Sequence, residues 1–389
     1  MKKFVSILFL LSLLITACEA ASTPADQPID VTPTLAPYSP DTPSPPILDL
    51  PLVEGPQLIT IRFLNSLDGW GVTETHIVRT NDGGTTWYNV TPQDVAEAGY
   101  NVDIFVLDNN HAWVHLPDFE NYPNSGHLYR TTDGGLTWSS SSTPFSRGHI
   151  RFLDPSNGWV LADLGVGAGS NAVAVYQTRD GGEDWQQTFI NDPNSADAGD
   201  SLPLGGLKFG IAPSDLKTAW VYGVVYTPGA AYLYRTYNAG QLWEQASIPL
   251  PPEAENADIT IEQLEFVTPN DAFLAMRISS DSTNLAIYIS YDSGNTWTLT
   301  PTLIPDGGPA DFLSAEEAVI YNGSQFYVTR DAGRTWSIIP PDVKFGDTFA
   351  VMDFVSPSTG WVIALDPTTN HRSLYKTADG GMTWFPVLP

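Results

Sequence analysis

Six charged residues stand immediately before a phenylalanine, at what reads as one equivalent position: Arg62, Arg151, Lys208, Glu265, Asp311 and Asp353. The matching place in another unit is Phe105. Where such positions converge, three bases face three acids. That arrangement either satisfies buried charge as an ion-pair ring or offers a polar ligand site. A second group, Tyr100, Asp118, Phe119, Glu120 and Tyr122, mixes acids with aromatics inside long polar segments. It suits a cation or carbohydrate platform, and equally a solvated loop. Paired carboxylates in a cleft would hydrolyse a glycosidic bond, but loop acids are too numerous for one pair to be singled out. His115 and His127 flank one turn and would meet across a hairpin, short of a metal-ligand set. The GG pairs form no phosphate loop, since none follows a strand and opens a helix. Cys18 is the only cysteine, which leaves no intrachain disulfide or dithiol chemistry. These residues call for no metal and no cofactor.

The elements that position them come from a repeat. Seven octapeptides of the form Ser/Thr-x-Asp-x-Gly-x-Thr-Trp run from TNDGGTTW at Thr80–Trp87 to TADGGMTW at Thr377–Trp384. Asp82, Asp133, Asp180, Asn238, Asp292, Asp331 and Asp379 hold the acid position. Trp87, Trp138, Trp185, Trp243, Trp297, Trp336 and Trp384 close the octapeptides. A period of about 50 residues indicates a propeller, solenoid or array. Upstream of each octapeptide, an apolar residue precedes a Gly or Ala followed by an aromatic residue or Val, as in Phe63 to Gly69-Trp70 and Phe354 to Gly360-Trp361. The fourth unit reads Phe209 to Ala219-Trp220, a longer spacing that an insertion in the turn would explain. Each unit then reads as four short strands, with the octapeptide turning between the third and fourth. The expected fold is all-β, a seven-bladed β-propeller of four-stranded blades.

The octapeptides read as structural. The acid accepts turn amides, the glycine supplies a positive φ and the tryptophan packs on the sheet. One carboxylate per turn is too few for calcium. Asp184 replaces Thr in the third, and Asn238 and Leu242 replace Asp and Thr in the fourth, without loss of the period. Turns alternate between the two ends of an antiparallel blade. The octapeptides therefore share one face, and Pro92–Asp103, Pro117–Gly126, Asp163–Asn171, Asn191–Gly206, Pro251–Ile261 and Asp366–Arg372 lie on the other. Variable loops on a rigid scaffold carry binding, so binding is expected on that loop face.

The octapeptide resembles the Asp-box, or bacterial neuraminidase repeat. Coupled to the upstream element, the pattern over about residues 57–388 is similar to the propeller family of photosystem II assembly and stability factors. That resemblance implies a scaffold or assembly role, a protein partner and no catalysis. The family docks its client on a patch of arginines, and no such patch maps onto this acidic chain. Sialidases, xyloglucan-active glycoside hydrolases and sortilin-type receptors share the repeat, so a carbohydrate-active propeller or lectin with a glycan partner is the alternative. A sialidase clamps its substrate with three arginines. Arg79, Arg130 and Arg235 each stand one residue before an octapeptide, which is a repeat position and not a triad.

The N-terminus has its own pattern. A basic Met1–Lys3 precedes the uncharged apolar run Phe4–Ile15 and then Cys18. The run is too short for a spanning helix and reads as a cleaved signal. The small residues before Cys18 resemble a bacterial lipobox, which implies cleavage before Cys18 and acylation of its thiol. Residues 1–17 are expected to be the lipoprotein signal peptide, 18–50 a flexible Pro/Thr/Ser-rich linker and 51–389 the propeller. The expected product is a lipid-anchored monomer on the extracytoplasmic side of a bacterial membrane. With 17 basic and 44 acidic residues, the chain has a net charge of −27. That field repels nucleic acid and anionic headgroups and leaves the anchor as the only membrane contact.

Overall fold

A computed structural model describes residues 49–99 and 102–388. The described chain is all-β, with two single-turn 3-10 segments at Pro252–Ala254 and Gly346–Thr348. Consecutive strands pair antiparallel in sets of four. The first set is β1 (Thr60–Phe63), β2 (Gly69–Val72), β3 (Ile77–Thr80) and β4 (Tyr88–Asn89). The second is β5 (Asp103–Val106), β6 (Ala112–Pro117), β7 (Gly126–Thr131) and β8 (Ser139–Thr143). The third is β9 (Gly148–Phe152), β10 (Gly158–Gly167), β11 (Ser170–Thr178) and β12 (Gln186–Ile190). The fourth is β13 (Leu207–Pro213), β14 (Ala219–Val224), β15 (Tyr232–Thr236) and β16 (Glu244–Gln245). The fifth is β17 (Asp258–Phe266), β18 (Ala272–Ser279), β19 (Thr283–Ser290) and β20 (Thr298–Leu299), with β21 (Ile304–Pro305) added on β19. The sixth is β22 (Ala310–Phe312), β23 (Ala318–Tyr321), β24 (Phe326–Thr329) and β25 (Ser337–Ile339). The last is β26 (Phe349–Phe354), β27 (Gly360–Leu365), β28 (Arg372–Thr377) and β29 (Phe385–Pro386). One pair, Val224↔Thr260, ties the fourth set to the fifth.

The hydrophobic core lies between the sets. Each buried cluster joins one set to the next, such as Trp113 and Leu128 with Ile150 and Phe152. Another joins Trp361, Ile363 and Leu374 of the last set to Ile61, Phe63 and Val78 of the first, so the sets close into a ring as the blades of a propeller. At that joint the Phe63 ring stacks on Trp361 at 3.6 Å. Phe152 stacks on Trp113 at 3.7 Å and Phe312 on Phe273 at 4.7 Å in the same way. Every blade supplies its own four strands. Val53 N–H donates to Trp87 O at 2.9 Å and Asn89 N–H to Pro51 O at 2.8 Å, so residues 51–53 add to the outer edge of the first blade.

Three details differ from the sequence reading. Ladder pairing places Pro213 opposite Ala219, as Phe63 lies opposite Gly69, so the fourth blade has the ordinary spacing and no insertion in its turn. Phe209 lies earlier on β13, beside a bulge between Lys208 and Gly210. The segment Asp163–Asn171 is the tip of a long β10–β11 hairpin rather than an irregular loop. Within Pro251–Ile261, the chain makes a 3-10 turn and then begins β17.

Candidate functional site

The acid position of each octapeptide is satisfied within its own turn. In each, the leading Thr or Ser hydroxyl donates to the Asp or Asn side chain at 2.7–2.9 Å. The same side chain accepts a backbone N–H four residues on at 2.8–3.0 Å. Asn238 makes both bonds, so the turn needs the acceptor and not the charge. These turns also rivet blade to blade. Trp113 Nε1 donates to Gly181 O at 2.8 Å, and Trp361 Nε1 to Gly83 O at 3.0 Å. Arg79 donates to Gly134 O at 2.8 Å while lying over Trp70, and burial pulls its guanidinium down to about 10. Arg130 donates to Asp180 O at 3.1 Å, and Arg235 to Asn295 Oδ1 at 3.2 Å. Those three arginines serve three different joints and do not converge. A cleft of about 290 Å³ on this face lies between Asp82 and Lys376, but Lys376 is committed to Ser66 O at 3.0 Å and to the face of Trp361.

The axial position is only partly the ring expected from sequence. Arg62, Arg151, Glu265, Asp311 and Asp353 occupy equivalent places, each opposite the first aromatic or Val of the next strand. Lys208 does not. Ala212 holds that place in the fourth blade, opposite Trp220. The three acids cluster with one base. Asp353 accepts Arg62 Nη1 at 3.1 Å and the N–H of Phe63. Asp311 accepts the N–H of Phe354 at 2.8 Å. Glu265 takes Gln263 Nε2 at 3.0 Å, while Arg151 donates to Ile150 O at 2.8 Å. Each of the two aspartates thus clasps the inner strand of the following blade. Burial, then the charge of Asp353, pushes Asp311 well above the usual carboxylate range. Asp353 is raised by burial too, but Arg62 restrains it to about 6. No set of three or more His, Cys, Asp or Glu side chains fits a metal ion among the described residues.

The loop face carries a second cleft. Of the residues expected there, Tyr100 lies outside the described residues. Asp118 braces its own loop, accepting Glu120 N–H, Asn121 N–H, Asn121 Nδ2 and Ser125 Oγ. Phe119, Glu120 and Tyr122 are exposed, and Arg147 lies 5.9 Å over the Phe119 ring. Burial raises the Tyr122 phenol, Asp163 raises it further and Arg147 opposes. Next to this loop, between the third and fourth blades, a cleft of about 200 Å³ is lined by His149, Leu161, Asp163, Val166, Asn171, Val173, Leu207, Lys208 and Phe209. Val166 is 66% exposed and Tyr226, packed against Gly169, 65%. Phe209 and Leu204 are also exposed. Lys208 is the cleft's buried cation. Its Nζ donates to Leu204 O at 2.7 Å, Asn171 O at 3.0 Å and Gly206 O at 3.2 Å, and burial pulls it down to about 8. Desolvation in the recess, reinforced by Arg151, lowers His149 to about 4. His115, buried against Thr143, is lowered to about 4 in the same way. Sequence spacing missed this cleft because it joins a hairpin tip to the start of the next blade.

No protein-family model matches the chain. Over 277 residues it is 22% identical to the photosystem II assembly lipoprotein Ycf48 of Synechococcus sp. (strain CC9902), covering 65% of this chain and 78% of that protein. Over 287 residues it is 23% identical to the xyloglucanase of Hypocrea jecorina (strain QM6a), covering 68% of this chain but only 29% of the enzyme. The solved structure of YCF48 bound to D1 peptide superposes with a TM-score of 0.50 at 18% identity, covering 87% of this chain and 99% of that one. The chain therefore shares the β-propeller fold of these proteins.

Proposed function

We propose that the chain is a propeller scaffold that binds a partner protein through its loop face and catalyses nothing. The observation that carries this reading is the cluster of exposed apolar side chains, Val166, Leu204, Phe209 and Tyr226, around the cleft between the third and fourth blades. Exposed apolar side chains gathered about a cleft suit an interaction site. The likeness to Ycf48, an assembly lipoprotein, and to a propeller solved with a bound peptide supports the same reading. Acylation of Cys18 as an envelope anchor belongs to the proposal, and a mass shift of the N-terminal peptide of the membrane-extracted protein tests it.

Xyloglucanase likeness keeps a carbohydrate-active propeller as the second reading. A glycosidase needs two carboxylates across the cleft. Among the residues lining this one, only Asp163 carries a carboxylate. Cross-linking from the cleft, with a benzophenone amino acid placed at Tyr226 and at exposed Met382 on the octapeptide face, tests the reading. Adducts to one protein from position 226 alone support it. A glycan-array hit abolished by substitution at Tyr226, with no protein adduct, overturns it.

A further inference from the structure

We infer that the inner edge of β10 accepts an extended, basic peptide segment of the partner as an added strand. This rests on the protein-binding reading above and specifies the form the partner presents.

The third blade's hairpin outruns its neighbours. β9 stops at Gly148, opposite Ala162, whereas β10 continues to Gly167. Asp163 N–H is still covered, donating to Arg147 O at 2.9 Å. Beyond it the hairpin closes through the pair Gly167↔Ser170 across the turn Ala168-Gly169, whose φ values are 49° and 78°. In a two-residue hairpin that closing pair exchanges backbone bonds, so the next pair directs its backbone groups outward. The next pair is Val166↔Asn171. Asn171 N–H does point outward, to Gly206 O at 3.3 Å. Val166 N–H and C=O must then face the opposite edge, where no strand pairs among the described residues. The sheet face beside it is open as well, since a Cβ at Gly165 or Gly167 would meet no atom within 4 Å.

An uncovered edge of this kind pairs with an extended chain, whose main-chain bonds give affinity and whose alternate side chains enter adjoining pockets. Here the adjoining pocket is the cleft, which offers Val166 and Phe209 to an apolar side chain. Charge selects a basic strand. Asp163 lines the cleft, and among the described residues only its Oδ1 is engaged, by Gly165 N–H. Lys208 is already bound by three carbonyls, and the chain as a whole carries −27. Such complementarity steers approach and excludes acidic segments.

The test titrates a fluorescent heptapeptide of alternating lysine and valine onto the full chain. Saturable binding is expected. N-methylating the amides of one register should weaken it about tenfold, while the other register is unaffected. Val166→Pro should weaken binding to a similar degree. It removes an N–H that the hairpin does not use, and circular dichroism checks its fold. Val166→Ala, which keeps the N–H and trims only the pocket wall, should weaken binding less than Val166→Pro. Lack of saturable binding, or equal sensitivity of both registers, overturns strand addition and leaves the protein-binding reading intact. Loss of the cleft cross-links described above would instead remove that reading.

Discussion

Arg62 and Asp353 lie 291 residues apart in sequence and 3.1 Å apart in space, at the joint that closes the ring. The same carboxylate takes the N–H of Phe63. Beside it Asp311 repeats the clasp on Phe354 without a cation in contact. The joints near closure are therefore made of carboxylates, one buried and one half-buried, that share a single arginine, and the ring's response to pH follows from that.

Asp311 gives the clearest case. Its folded pKa is raised by burial and by Asp353, so the folded chain holds a proton that the unfolded chain has released. Its contribution to stability is full below the unfolded carboxylate range and is lost as pH rises toward the folded value. Asp311→Asn mimics the protonated form. It should leave the melting temperature unchanged at pH 4 and raise it by about 2 °C at pH 8. Scanning calorimetry at both values checks this, and a lower melting temperature at pH 8 would contradict it.

Lys208 predicts the opposite slope. Burial lowers its folded pKa to about 8, so in the window between about 8 and the ordinary lysine value the unfolded chain binds more protons. Stability from this group should rise with pH across that window. Lys208→Met should flatten the rise, and denaturant titrations at pH 7.5 and 9.5 would show it.

Closure depends on Trp361. The indole is fully buried, stacks on Phe63 and donates to Gly83 O. Trp361→Ala should cost about 3–5 kcal/mol in urea unfolding. It should also open the first and last blades to limited proteolysis before the others.

In the octapeptides, Asn238 shows that an uncharged acceptor suffices. Asp292→Asn should cost less than about 1 kcal/mol, and Asp292→Ala about 1–3 kcal/mol, because the alanine leaves turn donors unmet. A chelator should leave the melting temperature of the parent unchanged, since no turn gathers a metal-ligand set.

Much of this architecture was legible in the letters. The Asp or Asn of each octapeptide bonds within its own turn, and local chemistry of that kind is written in local spacing. The fourth blade misled for a physical reason. Phe209 matches the repeat by letter, but ladder pairing gives its place to Pro213. The bulge before Gly210 admits Tyr222, whose hydroxyl would lie 2.4 Å from a Cβ at that glycine. Lys208 was singled out as an axial charge, yet it is pinned by carbonyls of the neighbouring blade's hairpin and of its own entry loop. The cleft was illegible because its walls come from β9, β10 and β11 of one blade and β13 of the next, and only the packing of one blade against the next brings Val166 toward Phe209.

The joint between the last blade and the first is built from the same parts as the joint between the second and third. In both, a phenylalanine lies on a tryptophan whose indole N–H reaches a carbonyl of the next blade's octapeptide turn. No strand is shared across it. A ring whose closing joint matches an internal one has no privileged starting point. Linking the ends and reopening the chain in the mostly exposed segment 193–198 before β13 would yield a circular permutant with the same wheel, its peptide order changed and its spokes in place.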